Sequence, residues 1–245
     1  MDKALSFRPG PLTKSIFISM LAPTILMNLT TAIASLADTM IIGHYLDDLS
    51  LSVVTFATPV FMVINLFSAL FSMGGCICMG IDAGKGDRRG ANRAFSMAVE
   101  LLLGTGLVLA LCGLFFLDSI TRALGAGEDV FELVRRYAGL ILLGAPIFML
   151  TTGLAFFVRG DGRAKLCMAA MFASIATDIT LNFVFVGFMS MGVTGAALST
   201  VLGNISALLI MCSHFFSRKN TLRDHHGRGR ENFSSDRARG GQKRG

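Results

Sequence analysis

Two aspartates lie inside apolar stretches of this chain, and one of them has polar neighbours at helical spacing. Asp38 is the one charged residue of a long apolar segment. Asp178 precedes Asn182 by four residues, and Thr200 precedes Asn204 by four, so each pair lies on one face of an α-helix. Carboxylate, amide and hydroxyl oxygens bind hard cations, and a carboxylate can also carry a proton. These residue types predict a cation or proton site, with Na⁺ as the candidate metal.

The composition indicates the environment of these residues. The 245 residues are 53% hydrophobic and 16% charged, and the mean hydropathy is +0.63. Soluble domains carry about 25% charged residues. Runs without Asp, Glu, Lys or Arg cover 16–37, 52–81, 101–117, 137–158, 166–177 and 183–212. Most are long enough to cross a bilayer, so the chain is predicted to be a membrane protein.

Six transmembrane helices fit these runs, because backbone amides cannot stay unpaired in lipid. The predicted spans are 16–43, 51–81, 91–117, 132–158, 164–188 and 192–216. The fold class is therefore an all-α membrane protein with a cytoplasmic N-terminus (1–15), a six-helix lobe (16–217) and a tail (218–245). The tail is basic and Gly-rich, which predicts disorder. A truncated or frameshifted reading frame would explain its abrupt change of composition.

The basic residues predict the orientation. Up to Arg223, thirteen Lys and Arg residues fall on one side of the predicted membrane and three on the other. Because such residues collect on the cytoplasmic side, both termini are expected in the cytoplasm, with the lobe in the inner (plasma) membrane. In this orientation Asp38, Asp178, Asn182 and Thr200 lie at similar depth in the outer half of the bilayer. The matched depth favours one shared site.

Other interpretations of the polar residues stay open. Each can act as a separate hydrogen bond between helices, and this applies most to Asn204. Glu100 is a third intramembrane carboxylate and, with Asn204, a possible secondary site residue. It can also reach the cytoplasmic interface or pair with Arg93.

Two helical faces consist of small residues, which lets helices approach closely in lipid. They comprise Ser72, Cys76, Gly80 and Gly84 in one span and Gly195, Ser199 and Gly203 in another. The glycine-rich loops lack the G-x-x-x-x-G-K-[ST] spacing of a P-loop. Neither enzyme activity, nor a cofactor other than a coupling ion, nor a nucleic-acid partner is expected.

Five segments occur in this order along the chain: LAPTILMNLTTAIASLADTMIIGHYL, GKGDRRGANRA, FFVRGDGRAK, ASIATDITLNFVFV and MGVTGAALSTVLGN. Together they resemble the MATE family, the multidrug and toxic compound extrusion transporters. The resemblance covers about residues 15–220. It implies that Asp38, Asp178, Asn182 and Thr200 form the cation or proton site of an N-terminal lobe. The family often has Asn before Asp in its fifth helix, whereas here Asp178 comes first.

The resemblance also implies a function. MATE transporters have twelve helices in two lobes, so a second six-helix lobe is the expected partner, either a missing C-terminal half or another copy. The implied activity is secondary antiport, in which amphipathic organic cations or drugs leave in exchange for H⁺ or Na⁺. One alternative is a transport-inactive membrane fragment. Another is a flippase for lipid-linked substrates, although Lys and Arg occur only in the first five residues of any predicted span.

Overall fold

A computed structural model describes residues 21, 25–26, 29–30, 32–33, 35–37, 39–45 and 48–216. The described residues between 21 and 45 are all helical, in agreement with the predicted span 16–43. Asp38, the N-terminus and the tail beyond residue 216 lie outside the described residues. The predictions for the two terminal segments therefore stay predictions.

The rest of the described chain is helical, and no strand occurs in it. Its elements are α1 (Asp48–Gly84), α2 (Arg88–Phe115), α3 (Leu117–Ala123), α4 (Glu128–Gly160), α5 (Ala164–Asn182), a π-helical segment (Phe183–Phe188) and α6 (Gly192–Phe216). Within the described residues, five helices are long and apolar enough to cross a membrane. The all-α membrane fold is thus confirmed. The short helix α3 was not predicted, and it lies in what was expected to be a loop.

Helix α4 is the centre of the bundle and packs against α1, α2 and α6. Its fully buried positions recur every three or four residues, as one helical face requires. They are Val134, Ala138, Ile141, Ala145 and Met149, each 0% exposed. Because α4 is enclosed by its neighbours, it fixes the positions of the helices around it.

Two tight turns make neighbouring helices antiparallel. Gly86 and Gly162 both have φ near +78°, a conformation that disfavours side chains with a Cβ. In the first turn the Oδ1 of Asp87 accepts hydrogen bonds from the backbone N–H groups of Arg89 (3.1 Å) and Gly90 (3.0 Å). This cap begins α2 immediately after the turn.

The small-residue face of α6 packs as predicted. Gly195, Ser199 and Gly203 are all buried, and a Cβ added at Gly195 would lie 2.9 Å from the Cβ of Phe185. Small residues thus allow α6 to approach α5 and the π-helical segment closely.

The prediction for α1 is wrong at one end. Ser72 is buried, but Gly80 and Gly84 are exposed and a Cβ on either would meet nothing within 4 Å. The reason is the length of α4, which ends at Gly160 beside the Sγ of Cys76. Beyond that point α4 no longer covers α1.

Candidate cation site

A cavity of about 560 Å³ lies among the N-terminal helical residues, α1, α4, α5 and α6. Helix α5 contributes Asp178 and Asn182 to its wall, and α6 contributes Thr200 and Asn204. The structure therefore brings together four of the six predicted site residues. Among the described lining residues, Asp178 is the one charged side chain.

The α5 side of the cavity carries the carboxylate. Asp178 is half-buried and Asn182 is only 1% exposed, and the Oδ1 atom of each is buried. Their four-residue spacing places both on the face toward the cavity. Asn182 is also the last residue of α5, and the helical repeat widens directly after it in the π-helical segment. Such segments occur frequently at functional sites.

The α6 side carries a hydroxyl and an amide that are oriented by their own helix. The Oγ1 of Thr200 donates to the carbonyl oxygen of Ala196 at 3.0 Å. The Nδ2 of Asn204 donates to the carbonyl oxygen of Thr200 at 2.9 Å. With these donors engaged, the side-chain oxygens of both residues remain available as acceptors. Acceptor oxygens are the groups that a cation requires.

Gly203 brings the two sides together. A Cβ at this position would lie 2.9 Å from the backbone oxygen of Ser174 and 3.0 Å from the Cβ of Asp178. The absence of a side chain at Gly203 therefore allows α6 to pack directly beside the carboxylate. One glycine thus sets the separation of the two polar walls.

The remaining predicted site residues stand apart. Asp38 lies outside the described residues, although Ser35 and Thr39 line the cavity. Glu100 is exposed on α2 and is not a lining residue. The ion pairs within the described residues do not join Glu100 to Arg93. The structure therefore does not place Glu100 in this site.

Several lining residues were not predicted. They include Asn65 on α1, Tyr137 and Thr152 on α4, and Ser174 on α5. Two of them had a signal in the sequence, because Asn65 is the sole amide in the uncharged run 52–81 and Ser174 precedes Asp178 by four residues. The other two had none, since they lie in the uncharged run 137–158, whose sequence does not mark one polar face of α4.

Apolar side chains also line the cavity. Phe61 of α1 and Phe148 of α4 meet edge to face, with ring centroids 5.7 Å apart, and Met171 of α5 lies on the same cavity. Aromatic rings and a thioether favour flat apolar ligands, and ring faces also attract cations. A cavity whose described lining carries one carboxylate beside aromatic and thioether groups suits an ion or an amphipathic organic cation.

Comparison with known proteins gives an independent line of evidence. A family model described as MatE matches residues 23–184. This match includes α1 to α4 and all of α5, and therefore Asp178 and Asn182.

Individual relatives extend the match. The multidrug export protein MepA of Staphylococcus aureus (strain bovine RF122 / ET3-1) is 26% identical over 216 residues, which cover 88% of this chain and 48% of MepA. The probable multidrug resistance protein YoeA of Bacillus subtilis (strain 168) is 25% identical over 206 residues, covering 82% of this chain and 44% of YoeA.

Solved structures agree with the sequence relatives. A MOP superfamily transporter from Pyrococcus furiosus superposes with a TM-score of 0.80 at 27% identity, covering 85% of this chain and 46% of that one. A MATE family transporter in an outward-facing conformation also superposes with a TM-score of 0.80 at 27% identity, covering 85% of this chain and 46% of that one. The chain spans about half the length of the curated relatives it matches.

Proposed function

Because the chain belongs to the MatE family and is a multi-pass membrane protein, we propose that it forms the N-terminal half of a secondary antiporter. This antiporter exports organic cations or drugs in exchange for H⁺ or Na⁺. The observation that supports the proposal most is the cavity in which Asp178 is accompanied by Asn182, Thr200 and Asn204. Transport rather than an enzymatic reaction is the proposed activity.

Coupling follows from competition for negative charge. Asp178, Asn182 and Thr200, together with Asp38, hold the coupling ion. Two carboxylates in one low-dielectric site share a proton or jointly bind Na⁺. A cationic substrate is attracted to the same charge, so the ion and the substrate exclude each other. Mutual exclusion is the basic requirement of antiport, and each ligand shifts the conformational equilibrium through its different affinity for the two states.

Substrate charge separates this proposal from its closest alternative. A flippase for lipid-linked substrates needs basic groups that bind phosphate. The described lining residues include no Lys or Arg, and their one charge is negative. An organic cation is therefore the substrate class that the site favours.

A second lobe completes the proposal. The matched relatives are about twice as long as this chain. We expect another six-helix unit to act with this one, either a further copy of the chain or a C-terminal half. Both termini are expected on the cytoplasmic side.

Reconstitution in liposomes tests the proposal. The chain is inserted alone and together with the C-terminal half of a MATE relative, and a pH or Na⁺ gradient is imposed. We expect gradient-driven movement of a fluorescent organic cation, and we expect Asp178→Asn to stop it. If neither preparation moves the cation, the chain is a transport-inactive fragment.

A further inference from the structure

Asn65 combines two properties that set it apart from the other polar residues of α1. It lies near the middle of a 37-residue helix, and its side chain is exposed while it also lines the cavity. A side-chain amide near the centre of a bilayer is costly unless it is hydrogen-bonded. An exposed lining residue stands at the opening of the cavity rather than in its wall.

The hydrogen bonds of its neighbours strengthen the contrast. Thr55 and Thr58, also exposed on α1, each donate to the carbonyl oxygen four residues earlier at 3.3 Å. Asn204 uses its Nδ2 in the same way on α6. Within the described residues, the amide of Asn65 makes no hydrogen bond. Both its donor and its acceptor therefore remain available to a molecule that enters the cavity.

The chemistry of an amide limits what Asn65 can recognise. It is neutral, so it does not compete with Asp178 for the charge of a cation. Its Oδ1 accepts hydrogen bonds from amino or hydroxyl groups, and its Nδ2 donates hydrogen bonds to hydroxyl or carbonyl oxygens. Asn65 can therefore bind amino, hydroxyl or carbonyl substituents. Asp178 thus attracts the charge of the cation, whereas Asn65 selects among cations by hydrogen bonding.

We propose that Asn65 is a specificity-determining residue that contacts the polar substituents of organic cations at the opening of the cavity. The proposal rests on the proposed function, because it takes the substrate to be an organic cation held by Asp178. It predicts that cations of equal charge are distinguished by whether they carry hydrogen-bonding groups.

Two cationic probes separate charge from hydrogen bonding. Ethidium carries two amino groups, whereas tetraphenylphosphonium has neither a donor nor an acceptor. Equilibrium binding of each probe is measured with the full chain in lipid nanodiscs. Asn65→Leu should weaken ethidium binding roughly three- to tenfold, the range expected for one neutral hydrogen bond, and leave tetraphenylphosphonium within about twofold.

A matched variant controls for packing. The double substitution Asn65→Leu, Leu66→Asn keeps the composition but moves the amide to the next position, which is 66% exposed and does not line the cavity. It should behave like Asn65→Leu, whereas Asn65→Gln should recover part of the ethidium affinity. Equal losses for both probes, or no loss for either, would overturn the proposal.

Probe binding by the wild-type chain and the variants distinguishes failure of the specificity role from failure of the antiporter proposal. Binding of both probes that depends on Asp178 but not on Asn65 rejects the specificity role and leaves the antiporter proposal intact. Failure of the wild-type chain to bind either probe rejects the proposed function, and the role of Asn65 with it.

Discussion

Among the described residues, a polar cavity and an apolar cavity of similar size can be compared. The polar cavity, of about 560 Å³, is bordered by Asp178 and four other polar side chains from α5 and α6. A second cavity, of about 450 Å³, lies among α1, α2, α3 and α4 and is lined by apolar atoms from residues such as Val63, Leu109 and Phe116. Both border α1, and Ile64 lines both. Volume therefore does not distinguish the candidate site from the apolar cavity, whereas the converging polar groups do.

The difference between the cavities arises from which helices meet. The polar cavity lies where Gly203 lets α6 pack against α5 beside the carboxylate. In the apolar cavity the corresponding close approach is at Gly113, where an added Cβ would lie 2.6 Å from a methyl carbon of Leu142. Each contact brings two helices close together, but only the first carries ionisable and amide groups. The same kind of close glycine contact thus lies beside a polar cavity in one place and beside an apolar cavity in the other.

The largest expected effect comes from removing the charge of the polar cavity. Asp178→Asn preserves shape and removes the negative charge, so the affinity for a cationic probe should fall more than tenfold. Gradient-driven efflux should be abolished. Asp38→Asn should do nearly the same, and the double variant should be little worse, because residues that act as a unit are non-additive. Binding and vesicle assays measure the effect, and wild-type coupling in Asp178→Asn would mean that this carboxylate is structural.

The next largest effect tests whether the close packing of α6 against α5 at Gly203 determines the geometry of the polar cavity. Gly203→Val places a side chain against Ser174 and Asp178, so α5 and α6 must separate. Overpacking of this kind costs about 1–3 kcal/mol and should lower both the melting temperature and the cation affinity. Gly104→Val on α2 is the matched control, because a Cβ there meets nothing within 4 Å. Equal effects of both variants would show that the close approach at Gly203 is unimportant.

Much of the fold could be predicted from the sequence because a bilayer restricts which secondary structures can cross it. Long uncharged runs in a bilayer must be helices, and predicted spans such as 132–158 and 192–216 agree with α4 and α6 to within four residues. The short helix α3 was missed because its seven residues fall below the length at which a hydrophobic run is distinctive.

The arrangement of the candidate site could be predicted where residues lie on one helix, because their spacing determines which face they share. Asp178 and Asn182 share a face by the helical repeat alone, and so do Thr200 and Asn204. The sequence does not specify which faces of different helices meet, so Tyr137 and Thr152 were missed. Glu100 shows the same limit, since a carboxylate inside an apolar run need not face the interior, and the structure places it exposed on α2.

A smaller effect is expected in the apolar cavity. Val63→Phe enlarges a residue that is 45% exposed and lines this cavity but not the polar one. The larger ring fills apolar space, so cation binding should change by less than about twofold, with little change in melting temperature. Titration of the same probe against wild-type and variant chains checks this. A marked loss of binding would mean that the apolar cavity is part of the substrate route.

The smallest effect is expected for a substitution at Glu100. This substitution tests whether an intramembrane carboxylate affects transport through its charge alone or only when it lines the polar cavity. The side chain is exposed on α2 and borders neither cavity. Glu100→Gln should therefore leave ion-driven transport and cation affinity unchanged, in contrast to Asp178→Asn, which removes the same charge. Because a charge in the apolar span costs about 2.5–3.5 kcal/mol on insertion scales, the glutamine variant should insert as well as the wild type or better. The measurement pairs the two amide variants in one vesicle assay. If both lost coupling alike, Glu100 would act on transport from the exposed surface of α2, and the site would not be confined to the polar cavity.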